Sequence, residues 1–413
     1  MKNILLFTFL YLSITVAFTA CDDDNSSPSP IDITTSAELT AALTDIYEQE
    51  NAPGFAVSVI KDSEILYQQA FGFADMESER AYTNQTTQPI GSISKTFVAA
   101  ALVKAIEQGY FTLETNINDI LPIELVNPRQ PDAVVKVKHL VTHTSGLLDR
   151  TEAYFESYRI LPGENIATQG AQILTDGFGF TQREAIDLDE LLVEYYLEDG
   201  YWYSSDNFAS TTPGTNWSYS NIATSLAAYL VEAATETDFA TYVEEQILQP
   251  LSMTRTSYLV DDLDPAQVAE LYWQENVPFP IYATDSYPDG GLRTSNIDLA
   301  KYLLDMMKGV KGQSSTLFSS TGYDMLFDPQ LPNGLIPPSL ADNQGVFWFL
   351  DGNTIRHDGS DPGTTCKLQF DADGESGYLL MTNMDASTQA HEDAYFRLDQ
   401  RIDQVINQFT QAN

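Results

Sequence analysis

The hydrophobic pattern changes period twice along the chain. β-branched and aromatic residues fill 55–60 and 65–71, and the polar run Lys61-Asp62-Ser63-Glu64 between them predicts a β-hairpin. From Ser92 onward Phe97, Leu102 and Ile106 recur at helical spacing, and helical patterns broken by loops dominate to about Leu304. Short strands return at 346–350, 354–357, 364–370 and 378–382, with Ala372-Asp373-Gly374 as a turn, before a last helix expected over about 391–409. Strands at both ends with helices between them predict an α+β fold. Its N- and C-terminal parts complete one antiparallel sheet, flanked by helices, around a large mostly helical lobe of about residues 96–304. There is no internal repeat, and the length suffices for a large core in one or two intimately joined lobes.

Within that lobe, 149–212 is rich in aromatic residues, including Tyr154, Tyr158, Phe178, Phe180, Tyr195, Tyr196, Trp202 and Phe208. An amphipathic helix fits 188–196, and 200–216 reads as loop. Two readings are open: a self-packed surface insertion, or a lid over 201–208 that shapes an aromatic or acyl-binding pocket.

The N-terminus changes the picture of where the chain works. Met1-Lys2-Asn3 followed by an apolar run over 4–18 reads as a signal peptide spanning 1–20, too short for a comfortable membrane span. Phe18-Thr19-Ala20-Cys21 is similar to a bacterial lipoprotein cleavage site. Cys21 is therefore the expected lipidated residue, anchoring the protein in the cell envelope, facing the periplasm or on the cell surface. An acidic Ser/Pro tether over 21–34 leads to a single domain over 35–413. The other cysteine, Cys366, reads as a small packing residue in a strand, so no intramolecular disulfide is expected. With 59 acidic against 20 basic residues the formal charge is −39, which excludes a nucleic-acid backbone as partner and weakens encounter with anionic substrates at low salt.

Candidate chemistry lies in three short runs that stand in order: Ser92-Ile93-Ser94-Lys95, Tyr219-Ser220-Asn221 and His357-Asp358-Gly359. A serine hydroxyl is a weak nucleophile until a base takes its proton, and a lysine on the same helical face can serve. A tyrosine beside that lysine can share the proton and pass it to the leaving group. Chance matches exist. Ser58 and Lys61 also fit S-x-x-K, but on a strand they point to opposite faces; Tyr82 and Asn84 also fit Y-x-N, but precede Ser92 with no second motif around them.

Together these runs resemble the class C β-lactamase and D-Ala-D-Ala carboxypeptidase group, which also contains esterases and D-aminopeptidases. The stretch 91–97 is similar to that family's nucleophile segment and 139–147 (His-Leu-Val-Thr-His-Thr-Ser-Gly-Leu) to its helix-ending signature. Pro213-Gly214 and Gly290-Gly291-Leu292-Arg293-Thr294-Ser295 also fit, so the resemblance runs from about Thr35 to the C-terminus. It implies Ser92 as nucleophile, Lys95 and Tyr219 as the acid/base pair, and Asn221 as a ligand for the acyl side that also helps hold Lys95. It further implies an oxyanion hole from the backbone N–H groups of Ser92 and Ser360, with His357, Asp358 and Gly359 in the substrate wall. The expected function is hydrolysis of ester or peptide-like amide bonds through an acyl-Ser92 intermediate, on a small-molecule or peptide substrate. Alternatives are a D-alanyl-D-alanine carboxypeptidase or class C-type β-lactamase, and a non-catalytic envelope lipoprotein that binds ligands. Asp358 stands where relatives that grip a carboxylate often carry Thr or Ser. Facing the pocket it would repel such groups, which favours neutral or amine-bearing substrates. His139 and His143 are four apart, but no H-E-x-x-H accompanies them and they read as structural; no metal or organic cofactor is implied. His391 is expected to be exposed, and Trp348 and Phe349 to pack in the sheet.

Overall fold

The computed structural model describes residues 33–274 and 276–413, so the leader segment, Cys21 and most of the tether lie outside the described residues. An eight-stranded sheet forms the frame: β1 (Gly54–Lys61), β2 (Glu64–Asp75), β3 (Arg80–Ala81), β4 (Asn343–Gln344), β5 (Phe349–Asp351), β6 (Thr354–Asp361), β7 (Thr364–Asp371) and β8 (Ser376–Thr382). Its order is β4-β5-β6-β7-β8-β1-β2-β3, and every pairing is antiparallel. The N-terminal hairpin therefore docks on β8, in register from Phe55↔Thr382 to Lys61↔Ser376. The five longest helices are α1 (Ser36–Glu50), α2 (Ser94–Glu107), α3 (Asn221–Thr235), α4 (Asn296–Val310) and α5 (Gln389–Ala412).

Strand alternation divides the core into two layers. Phe55, Val57, Val59, Tyr378 and Leu380 face α1 and α5, where they meet Leu39, Leu43, Leu398 and Ile402. Cys366, Leu368, Leu379 and Met381 point the other way, into the helical lobe. Residues 94–103 of α2 are all buried, apolar but for its first turn, as expected of a helix enclosed on all sides rather than lying on a surface. The decoy motifs separate as the strand geometry requires. The Ser58 hydroxyl donates to Asn296 Oδ1 at 2.7 Å, whereas Lys61 Nζ donates to the Thr410 carbonyl of α5; the Tyr82 hydroxyl is spent on Gln88 Oε1.

Two expectations change. Residues 346–348 do not extend a strand, because Phe347 takes a left-handed conformation (φ 60°) and only Phe349–Asp351 pair; Trp348 is nevertheless fully buried. His391 is not an exposed residue: its Nδ1 lies 2.8 Å from Asp385 Oδ1 and its ring 4.5 Å from that of Trp273.

The aromatic segment splits into two parts. The helix at Leu188–Tyr196 forms with its predicted bounds. The loop after it is sewn into the lobe: Trp202 and Phe208 are buried, and the Asn207 amide donates to the carbonyls of Tyr195 and Trp202. Residues 201–208 are therefore packing, not a free lid. The earlier part, with strand Tyr158–Ile160, pairs with Tyr282–Thr284 and builds a separate cluster of Tyr158, Phe180 and Tyr282.

Candidate active site

Ser92 sits in a single 3₁₀ turn, Gly91–Ile93, and α2 proper begins at Ser94, two residues later than the sequence pattern implied. The turn is possible because Gly91 adopts φ +51°. It is held by Ile90 N donating to the Leu292 carbonyl and by Leu292 N donating to Ser94 Oγ. One helical turn on, the fully buried Lys95 brings Nζ to 3.1 Å from Ser92 Oγ. The same nitrogen donates to the Asp289 carbonyl at 2.7 Å and lies 5.0 Å from the Tyr219 ring centroid. Among the described residues Lys95 forms no salt bridge.

The Tyr219 segment is placed from both sides. His143, in a left-handed conformation (φ 55°), accepts from Ser218 N through its carbonyl and from Ser220 N through Nδ1. Its ring lies 4.4 Å from that of Tyr219. Past the tyrosine, the start of α3 is clamped by Asp149. Its carboxylate accepts from Ser220 Oγ, Asn221 N, Asn221 Nδ2 and Ile222 N at 2.8–3.0 Å. A carboxylate at a helix N-terminus satisfies orphan N–H groups and complements the helix dipole. Burial pushes the Tyr219 phenol up, against the Lys95 charge and the Ser92 hydroxyl, which pull it down.

The third wall is β6. Gly359 lets this strand lie on the Ser92 turn, since a Cβ there would fall 1.9 Å from the Ile90 carbonyl oxygen. Gly91 does the same from the other side: its Cβ would be 2.6 Å from Ser360 N. The backbone amides of Ser92 and Ser360 are thus held beside each other by two glycines. His357 is buried on the same face as Gly359, and its Nδ1 lies 2.7 Å from the Asp358 carbonyl. Nδ1 is therefore assigned the proton, leaving a bare Nε2 with no protein partner. Burial, with Lys95 nearby, pushes this imidazole down to about 3; burial first and then Lys95 also push His143 far down. Both rings are neutral at ordinary pH.

The geometry brings Ser92, Lys95, Tyr219, His357, Gly359 and Ser360 together but corrects two other assignments. Asp358 alternates with His357 along the strand, so its carboxylate leaves by the opposite face, where it takes Arg356 NH1 at 2.6 Å and lies near Asp399 of α5. It cannot repel a ligand in the site, and the argument for neutral or amine-bearing substrates built on it fails. Asn221 adjoins the site, but its Nδ2 is committed to Asp149, and Lys95 leans on the Asp289 carbonyl instead. Sequence reading missed Asp149 and Asp289 because they contact the motifs from 71 and 194 residues away, with no local pattern to mark them. His143 was visible in the 139–147 signature, but its role beside Tyr219 was not. His139 is structural: its Nδ1 accepts from Lys136 N.

A serine paired with a buried lysine at the head of a core helix, walled by a strand of an antiparallel sheet, defines a protein of the β-lactamase and penicillin-binding-protein fold. The chain belongs to the Beta-lactamase family, whose sequence profile matches residues 39–402. Among its relatives, "Esterase EstB" of Burkholderia gladioli is 28% identical over 256 residues, covering 60% of this chain and 58% of that one, so the match spans less than two thirds of that relative. "Penicillin-binding protein 4*" of Bacillus subtilis is 21% identical over 369 residues, 84% of this chain and 71% of that one. Among solved structures, the octameric penicillin-binding protein homologue from Pyrococcus abyssi superposes with a TM-score of 0.67 at 22% identity, covering 88% of this chain and 76% of its own.

Proposed function

We propose that this protein hydrolyses esters, or uncharged peptide-like amides, through an acyl-Ser92 intermediate. The observation that carries the reading is the 3.1 Å contact between Lys95 Nζ and Ser92 Oγ, with no carboxylate among the described residues paired to the lysine. In its neutral amine form Lys95 is placed to receive the Ser92 proton as Oγ attacks the acyl carbon, becoming the ammonium as the acyl bond forms. The Ser92 and Ser360 N–H groups face the developing oxyanion. Tyr219 is within reach to protonate the leaving group and, in the second half, to deprotonate water. The preference for neutral substrates rests on the imidazoles. His357 and His143 are both neutral, so the side chains that face Ser92 from β6 and the 139–147 segment supply no cation to pair with a substrate carboxylate. The likeness to an esterase points the same way. We further propose that Cys21 carries the lipid that fixes the protein to the envelope. Partition of wild type but not Cys21→Ala into a detergent phase would test it.

The deciding experiment measures a short p-nitrophenyl ester and a D-Ala-D-Ala peptide side by side, with Ser92→Ala as control. Ester turnover that vanishes in Ser92→Ala, with little peptide cleavage, is the expected result. Efficient peptide cleavage would replace the esterase reading with a carboxypeptidase. Ligand binding that survives Ser92→Ala, with no turnover in the parent, would make it a binding protein.

A further inference from the structure

Four side chains from four elements, Tyr158 and Asp289 buried and Tyr154 and Asp361 half-buried, form one continuous chain of oxygens beside the Ser92 turn. Asp361 ends β6 directly after Ser360; its Oδ1 lies 2.7 Å from the Tyr158 hydroxyl. Tyr158 is 3.1 Å from the Tyr154 hydroxyl, and Tyr154 is 2.9 Å from Asp289 Oδ1. Asp289 Oδ2 accepts from Ser225 Oγ at 3.0 Å, and the Asp289 carbonyl is the anchor of Lys95. A Cβ on Gly290 would stand 3.4 Å from Asp361 Oδ2 and 3.9 Å from the Gly91 carbonyl carbon, so the chain closes around the Ser92 turn.

The three contacts need three protons, and the two phenols supply one each. If both carboxyls were ionised, each phenol would donate outward and the two tyrosine oxygens would meet at 3.1 Å with no proton between them. We propose that the third proton is carried by Asp361, which donates to Tyr158, Tyr158 to Tyr154 and Tyr154 to the Asp289 carboxylate. We propose too that this chain positions both the Lys95 anchor and the Ser360 amide. Tyr154, Tyr158, Asp289 and Asp361 are in this sense positioning residues, since none is placed to touch the reacting atoms.

The two carboxyls are not equivalent. Burial pushes the Asp289 carboxyl up as well, but Lys95 and the Tyr154 hydrogen bond pull against it, and Ser225 donates to its other oxygen, so its anion has more partners than that of Asp361. Among the described residues the Asp361 carboxyl has the single hydrogen-bond partner Tyr158; burial first, and the Asp289 charge, push it up to about 7, against the Tyr158 hydrogen bond, Lys95 and Arg293. The other titratable groups facing it are Tyr282 and Cys366, both shifted upward by burial. A cavity of about 20 Å³ lined by Asp361, Tyr158, Arg293 and Gly290 has room for one water, through which the proton could exchange. When that proton leaves for solvent at higher pH, the tyrosine pair loses its link and two anions share the chain.

The proposal rests on the hydrolase reading only for its kinetic arm, and a spectroscopic arm stands apart from turnover. In infrared spectra of the whole protein, a carboxylic-acid C=O band that titrates near neutral pH should be present, absent in Asp361→Asn and retained in Ser92→Ala. On the ester substrate, Tyr158→Phe and Asp361→Leu should lower kcat about 10-fold with KM within about twofold, as expected when a reacting group is misplaced rather than removed. Asp361→Asn, which keeps a donor to Tyr158 at every pH, should rescue most of that loss and flatten the ratio of its rate to that of wild type across neutral pH. A wild-type spectrum without an acid band lost in Asp361→Asn would overturn the protonation. Unchanged kcat in folded Tyr158→Phe would overturn the positioning role. Loss of all turnover in wild type would instead count against the hydrolase reading and leave the infrared result to decide the proton.

Discussion

The closest test of the site geometry is a single methyl group at Gly359. An alanine Cβ there would stand 1.9 Å from the Ile90 carbonyl oxygen and 3.0 Å from both Ile90 C and Ile93 N, all backbone atoms of the nucleophile turn. Ordinary contact begins near 3.4 Å, so β6 and the turn must separate by about 1.5 Å. Neither side yields freely. β6 is hydrogen-bonded to β5 and β7, with Gly359 opposite Cys366 and Ser360 opposite Thr365, while the turn is the entry to the buried helix α2. Overpacking of this kind costs about 1–3 kcal/mol of stability. The catalytic cost is larger, because the separation carries Ser360 N–H away from Ser92. Loss of one oxyanion donor, or a misplacement of about 1 Å, lowers kcat by roughly 100-fold. We expect Gly359→Ala to remain folded, with a melting temperature a few degrees lower, and to hydrolyse a p-nitrophenyl ester about 100 times more slowly at little changed KM. A folded Gly359→Ala with kcat within about threefold of wild type would refute the idea that Ser360 N–H forms half of the oxyanion hole.

Other outcomes follow from charge and packing. His357 is held near 3 against 6.5 for an ordinary imidazole, so the unfolded chain binds the extra proton and stability falls as pH drops from about 6.5 toward 3. His357→Gln should remove up to about 3 kcal/mol of the acid loss read by urea unfolding at pH 7 and pH 4; an unchanged difference would mean that the imidazole is not buried neutral. Asp358→Thr should leave the preference between neutral and carboxylate-bearing substrates unaltered while costing about 1–3 kcal/mol through the lost Arg356 pair, and a gain in D-Ala-D-Ala cleavage would show that the carboxylate does reach the site. Deleting 201–208 should abolish soluble folded protein, since Trp202, Asn207 and Phe208 are internal; a stable variant with altered substrate range would restore the lid.

By itself the sequence determined most of what depends on local periodicity. Alternation of side chains set the β1–β2 hairpin and the faces of Ser58 and Lys61, helical spacing set Lys95 beside Ser92, and amphipathicity set the helix Leu188–Tyr196. The three motifs, read in order, marked the serine, the lysine and the facing strand that the fold brings together. The tertiary structure decided what depends on contacts between distant segments. Strand parity was available in the sequence, yet only the packing of β6 showed which face is the site, sending His357 inward and Asp358 toward α5. Asp149, Asp289 and Asp361 act through hydrogen bonds that span 71, 135 and 203 residues. In so acidic a chain, no one-dimensional pattern distinguishes these carboxylates from the rest. Burial makes the difference, because a carboxyl removed from water must either find donors or keep its proton, and only the folded chain fixes which.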